Sequence, residues 1–305
     1  MACSNSGHTL LGLLINNSPE IIHLGDNLVD KQTRYALPCR CGKQISECEN
    51  WNIIESFPEH SRLIKGPINP YFYYLYHLYI LINLKKHPKA LKLFPKQYVF
   101  KSYFTRDLYS YHSKIRQLFD KEVFIDGTKR KEVIYMMALK SNGFRIIHLT
   151  KSPLDFVYSK LKRESTTLRQ IISNSKFDNL YFEKNQTHLQ KLVKNILEQY
   201  YNYNKFVLAI KEIFDIEYIH IKYEFLCTRT GEELDKLFDF LQVSKLPQYQ
   251  NFDNNQCLIG ARSIVQNFQK INSYSNPKLP RKLQTFVNHQ STEIRKLLDY
   301  QTTIF

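Results

Sequence analysis

At 305 residues the chain has room for one large α/β domain or two small ones, and it can bury a sizeable core. Hydrophobic residues make up 43% and aromatics 14%, a composition that excludes a disordered chain. Lysine and arginine outnumber aspartate and glutamate by 43 to 28, and the resulting +15 attracts anions without naming which, so nucleotides, sulfated or phosphorylated sugars, nucleic acid and acidic membrane surfaces all fit it.

No run reaches the roughly 18 to 20 uncharged apolar residues of a membrane span. The nearest, Tyr71 to Leu84, is too short and too rich in tyrosine. The apolar run Leu10 to Ile15 lacks the basic lead-in and small-residue cleavage site of a signal peptide, so a cytoplasmic protein is expected.

The chain opens on Ser4-Asn5-Ser6-Gly7-His8-Thr9-Leu10-Leu11, small polar residues and one glycine running into an apolar stretch. That pattern reads as a tight loop opening a buried helix over Leu11 to Asn17, with backbone N–H groups aimed at an anion, or as a plain Ser/Asn cap. The nucleotide-triphosphatase loop G-x-x-x-x-G-K-[ST] is not present, because His8 follows Gly7. A phosphate loop of this kind follows a central strand, and Met1-Ala2-Cys3 leaves almost no room for one, so a first strand lost to truncation or a misplaced start is expected.

Ser18-Pro19 breaks the helix, and Glu20 to Asp26 reads as a strand that delivers Asp26 to its carboxyl end. Cys39, Cys41 and Cys48 follow in the spacing C-x-C-x6-C. That pattern suits a metal only with a fourth ligand, for which His60 or His77 are available; in a cytosolic chain reduced thiols are expected instead, and no metal. From Glu55 to about Tyr111 the chain is lysine-studded and aromatic, with Tyr71, Tyr74, Leu75, Leu78 and Ile82 on one helical face.

Lys121 to Asp126 is a short strand that enters Gly127-Thr128-Lys129-Arg130 and a helix through Val133, Met136, Met137 and Lys140. Phe144 to Leu149 is a further strand, opening into Thr150-Lys151-Ser152-Pro153, where Pro153 suits a first helical turn and Ser152 its cap. The apolar stripe from His188 to Phe214 predicts a long covering helix, Ile216 to Lys222 a fourth strand, and Glu232 to Leu241 another amphipathic helix. This βα alternation predicts a mostly parallel sheet flanked by helices.

The ends of these elements offer the Ser6-Gly7-His8-Thr9 loop, Lys129, Lys151 and Ser159 to one cleft, a set suited to a ligand with several separated negative charges. Here the sequence resembles the sulfotransferases that use 3′-phosphoadenosine 5′-phosphosulfate. CSNSGHTLLGLLINNSPEIIHLGD is similar to that family's 5′-phosphosulfate loop and following strand, and CRCGKQISECENW to the Cys-rich insert of many bacterial members. VFIDGTKRKE resembles its "I-D-S-S-K" block, FRIIHLTKSPLDFVYSKL its 3′-phosphate block, and IHIKYEFL its "R-Y-E-D-L" block.

The resemblance implies one P-loop-like domain over residues 1–305, with 38–111 a Cys-containing, helical cap insertion on the acceptor side. It implies that Ser6, Gly7, His8, Thr9 and Leu10 hold the 5′-phosphosulfate, Lys151 and Ser159 the 3′-phosphate, that Tyr223 lies against the nucleotide and that Arg262 closes over it. Lys129 matches a basic residue that stabilises the leaving phosphate, and Asp26 a general base, with His8 as second candidate base. Each has a plainer role open to it: Asp26 as a turn cap, His8 as a hydrogen-bond donor, Lys129 as a solvated lysine, and Asp126 as a turn stabiliser.

The implied partners are the nucleotide co-substrate and a hydroxyl-bearing acceptor, with a carbohydrate or glycolipid ahead of a peptide tyrosine or small alcohol, and no nucleic acid. Two positions depart from the family: Asn5 stands where its loop cation is, and Lys151-Ser152 where it has Arg-Asp. A P-loop-like kinase and an inactive, basic polyanion-binding relative are the alternatives.

Overall fold

The computed structural model describes residues 6–25, 28, 39–65, 103–127, 129–140, 144–164, 179–245 and 279–300. Outside them lie Asn5, Asp26, Thr128, Arg262, His77 and the expected Tyr71–Ile82 helix face.

The first helix, α1 (His8–Ile15), starts three residues before the expected Leu11 because Gly7 adopts φ 94°, a left-handed conformation that turns the chain directly into it. Every residue from Thr9 to Ile15 is buried. Beyond its end, Asn16 pairs with β1 (Ile21–His23) as a strand would: its Nδ2 donates to the His23 carbonyl at 2.7 Å and its Oδ1 accepts from the His23 N–H at 2.6 Å.

Strand β1 runs parallel to β2 (Val123–Ile125), with Ile21 opposite Val123. Gly127, just after β2, lies so close to the end of β1 that an added Cβ would meet the Gly25 carbonyl oxygen at 2.3 Å. Strand β3 (Ile146–Thr150) runs parallel to β4 (Tyr218–Lys222), with His148 opposite His220.

The expected parallel pairing is present, but among the described residues it forms two separate pairs rather than one sheet. A cavity of about 520 Å³ is lined by both pairs, through Val123, Phe124 and Ile125 of β2 and Ile147 of β3. The two pairs nevertheless share faces. Ile21 and Ile147 pack with α1, whereas Ile22 and Ile146 face the opposite core. Strands therefore form the middle layer, with helices on both sides.

One face carries α1, α8 (Tyr223–Thr228) and α9 (Thr230–Leu241), through Leu10, Leu14, Leu226, Leu234 and Phe238. The other carries α2 (Glu49–Ser56), α3 (Pro58–Lys65), α4 (Tyr103–Phe119) and α5 (Lys131–Lys140), through Trp51, Leu63, Tyr111 and Val133. Helix α4 runs through Tyr111, the boundary expected for the insertion, to Phe119. Arg62 of α3 grips both carboxylate oxygens of Asp107 on α4, at 2.6 and 2.8 Å.

Helix α6 (Pro153–Glu164) begins at Pro153 as expected, with the Asp155 N–H donating to Ser152 Oγ at 3.2 Å. The long helix α7 (Asn179–Phe214) starts before its apolar stripe, since extending a nucleated helix through polar residues costs little. Its first half packs on α6 through Val193, Leu197 and Tyr200, and its second half enters the other core through Phe206, Val207 and Ile210. Two C-terminal helices, α10 (Arg281–Gln290) and α11 (Thr292–Leu297), complete the α6 side.

A buried polar chain stiffens the β3–β4 pair. The Asn204 amide nitrogen donates to the Tyr200 carbonyl at 2.7 Å, so its oxygen faces His148 Nε2 at 2.7 Å and that nitrogen carries the proton. His148 Nδ1 then accepts from the Tyr218 hydroxyl at 2.7 Å. On the same face of β3, Thr150 Oγ1 lies 2.7 Å from His220 Nε2 and 3.1 Å from the Tyr300 hydroxyl.

Burial is the main cause holding both rings neutral, lowering His148 to about 3 and His220 to about 4. The unfolded chain takes up protons on these rings below about pH 6.5 and the folded chain does not. Their contribution to stability is therefore complete above that pH and is lost as pH falls toward 3 to 4. Urea unfolding between about pH 7 and pH 5 is expected to show stability falling by roughly 1 kcal/mol per pH unit for each ring below its unfolded pKa. A flat profile would contradict the neutral assignment.

Candidate active site

The start of α1 and the ends of β3 and β4 meet at one place. A Cβ at residue 7 would lie 2.2 Å from Tyr223 Cδ2, so the ring of Tyr223, first residue of α8, rests directly on the Gly7 backbone. The Lys151 ammonium, one residue beyond β3, sits 3.9 Å from the centroid of that ring and 3.5 Å from Ser159 Oγ on α6. Gly7, Tyr223, Lys151 and Ser159, all expected at one ligand, are therefore gathered around a single aromatic ring.

The charges there are arranged for an anion. Lys151 is buried, yet no carboxylate lies within ion-pair distance of it among the described residues. Burial lowers its pKa, while the charges of Asp155 and Glu224 act in the opposite sense. A buried ammonium without an ion pair is costly, and a ligand's negative charge would offset that cost. Beside it, α1 begins at Gly7 without a side-chain cap, so the positive end of that helix is turned to the same place, which favours an anion. Ser6 Oγ is fully buried without a hydrogen-bond partner, an orphan of the kind a bound oxygen satisfies. These groups fit a ligand bearing two separated anionic ends.

Several residues fix this geometry that sequence reasoning missed. The Lys151 backbone is clamped by Tyr200 of α7, whose hydroxyl accepts from the Lys151 N–H at 3.0 Å and donates to its carbonyl at 2.5 Å. Glu224, next to Tyr223, accepts the Ser152 N–H at 2.7 Å and the Tyr300 hydroxyl at 3.1 Å, tying the start of α6 to the start of α8. Burial raises the Glu224 pKa, with the Ser152 N–H opposing. Glu224 was within reach of sequence reasoning, because it belongs to the same block as Tyr223. Tyr200 and Tyr300 carry no local signal.

The other expected residues are placed as follows. His8 is half-buried at the first position of α1, and the Leu10 side chain is buried in the core, so Leu10 can serve a ligand only through its N–H. Lys129 is half-buried in the turn between β2 and α5, and the contacts that gather Lys151 and Tyr223 do not include it. Asp126 faces His112 of α4, with Oδ2 and Nε2 2.9 Å apart. Asp26 and Arg262 lie outside the described residues.

Among the described residues no helix is long and apolar enough to cross a membrane. No family model matches the chain, and no curated protein matches it. Among solved structures the chain is similar to a sulfotransferase domain from the curacin biosynthetic pathway. The likeness has a TM-score of 0.50 at 12% identity and covers 96% of this chain and 95% of that one. It extends over nearly the whole of both chains, and what the two share is the α/β fold of a sulfotransferase domain.

Proposed function

We propose that the chain is a sulfotransferase that moves a sulfuryl group from 3′-phosphoadenosine 5′-phosphosulfate to a hydroxyl, in the cytoplasmic setting expected from the sequence. Carbohydrate or glycolipid acceptors are favoured, ahead of a peptide tyrosine or a small alcohol. The observation that carries this reading is Lys151, a buried ammonium without an ion pair among the described residues, held against Tyr223 at the uncapped start of α1. The shared fold supports it.

In this reading the α1 N–H groups of His8, Thr9 and Leu10, with the Ser6 and Thr9 hydroxyls, bind the 5′ end of the donor. Lys151 and Ser159 bind its 3′-phosphate, Tyr223 lies against the nucleotide, and Arg262 closes over it. The donor supplies an activated sulfuryl group whose leaving group is a phosphate. Sulfuryl transfer, like phosphoryl transfer, depends on positioning and charge stabilisation more than on covalent chemistry. Lys129 neutralises charge growing on the leaving phosphate, and Asp26, with His8 as second candidate, takes the proton of the acceptor hydroxyl. Asn5 leaves the loop without a side-chain cation, which puts more weight on Lys129.

Two experiments test this. Calorimetry with adenosine 3′,5′-bisphosphate is expected to give micromolar binding, with ATP at least about tenfold weaker. Equal affinity for both would overturn the donor assignment in favour of a kinase or a general polyanion binder. Separately, Lys129→Ala is expected to lower transfer to a panel of hydroxyl acceptors by about 100-fold or more while leaving nucleotide affinity within a few-fold. Near-full activity would remove Lys129 from the leaving-group role.

A further inference from the structure

A cluster of three thiols lies away from this site. Cys39, Cys41 and Cys48 bring their sulfur atoms within 4.8 Å of one another, with Cys41 to Cys48 and Cys48 to Cys39 both at 3.7 Å. None of the three is in a disulfide, which would need a sulfur separation of about 2.05 Å. Ligands at the zinc–thiolate distance of about 2.3 Å sit about 3.8 Å apart along the edge of a tetrahedron. The two separations of 3.7 Å from Cys48 match tetrahedron edges of that length, and the third sulfur pair lies within 4.8 Å.

The backbone is built to hold that arrangement. The Cys39 N–H donates to the Lys43 carbonyl at 3.0 Å and the Gly42 N–H to the Cys39 carbonyl at 3.1 Å, closing a tight knuckle around Cys39 and Cys41. Gly42 sits at φ +89°, although a Cβ there would meet nothing within 4 Å; glycine is needed for the turn and not for space. The third thiol belongs to Cys48, the residue that directly precedes α2. Cys39 and Cys48 are buried and Cys41 is half-buried.

We infer that Cys39, Cys41 and Cys48 bind one zinc-like divalent cation, which pins the 39–48 loop to the core beneath α2. This reverses the sequence expectation of reduced thiols without metal, and it stands independently of the sulfuryl donor. His60, a fourth ligand considered from sequence, is not in the group whose donor atoms lie within 4.8 Å; its ring stacks on Tyr111 at 5.6 Å. The other, His77, lies outside the described residues. The three thiolates leave one corner of the tetrahedron for a water or a further side chain. Because Cys48 and Trp51 belong to the same buried cluster as Ile54 and Leu63, the cation serves structure and not transfer chemistry.

The test uses the full chain, purified under reducing conditions. Metal content by plasma mass spectrometry is expected to be near one zinc per chain. After chelation, titration with Co²⁺ is expected to give thiolate-to-cobalt charge-transfer absorption and the visible bands of a tetrahedral site, saturating at one equivalent and abolished by Zn²⁺. Cys41→Ser should weaken cobalt binding by more than the roughly 10- to 100-fold that loss of an outer-shell partner costs, while Cys227→Ser should leave it unchanged. Cys41 is the half-buried member, so its serine variant is the one best placed to fold, and circular dichroism checks that it does. Absence of charge transfer at excess Co²⁺, or binding retained in folded Cys41→Ser, would overturn the inference.

Discussion

The candidate site depends on one close approach, the Tyr223 ring on the backbone of Gly7. Glycine is required there twice over: φ of 94° lets the chain turn straight into α1, and any side chain would occupy the space of the ring. The contact sets the start of α1 against the end of β4, two segments more than 200 residues apart in sequence. The ring in turn gives the Lys151 ammonium an aromatic face to rest on, so helix start, aromatic and cation form one constellation and not three separate features.

What keeps that constellation fixed is a set of neutral polar contacts behind it. Asn204, His148 and Tyr218 join α7 to β3 and β4, and Tyr200 clamps both backbone groups of Lys151. Thr150, Tyr300 and Glu224 continue the chain to the first residues of α6. Because His148 and His220 are held neutral, the principal positive charge in this network is on Lys151, where an anionic ligand can use it.

Much of the architecture is legible in the sequence, because βα alternation, the Ser152-Pro153 cap and the stripe on α7 are local signals. What escapes is chemistry without local periodicity. Four helices stop at non-glycine residues in the left-handed region, Asp120, Asp215, Gln242 and Asp299, so the usual glycine stop signal is missing at each. Tyr200 lies on the apolar stripe of α7, which marks it as buried but not as the clamp on Lys151. Asn204 is polar within a helix where such residues ordinarily read as solvent-facing, yet it is buried. Three-residue strands such as β1 and β2 are too short to show alternation, and no local pattern tells that the described strands form two separate ladders. The thiol spacing was visible, but convergence of the three sulfurs depends on a turn that the sequence marks only with Gly42.

The central claim is that Lys151 recognises a 3′-phosphate on a nucleotide lying against Tyr223. The most direct measurement is a cycle of four affinities, adenosine 3′,5′-bisphosphate and adenosine 5′-monophosphate against the native chain and Lys151→Met. A charge-assisted contact at that site predicts that removing the 3′-phosphate weakens binding to the native chain by about 10- to 100-fold and to the variant by only a few-fold. Equal losses in both proteins, or no loss in the native chain, would contradict it.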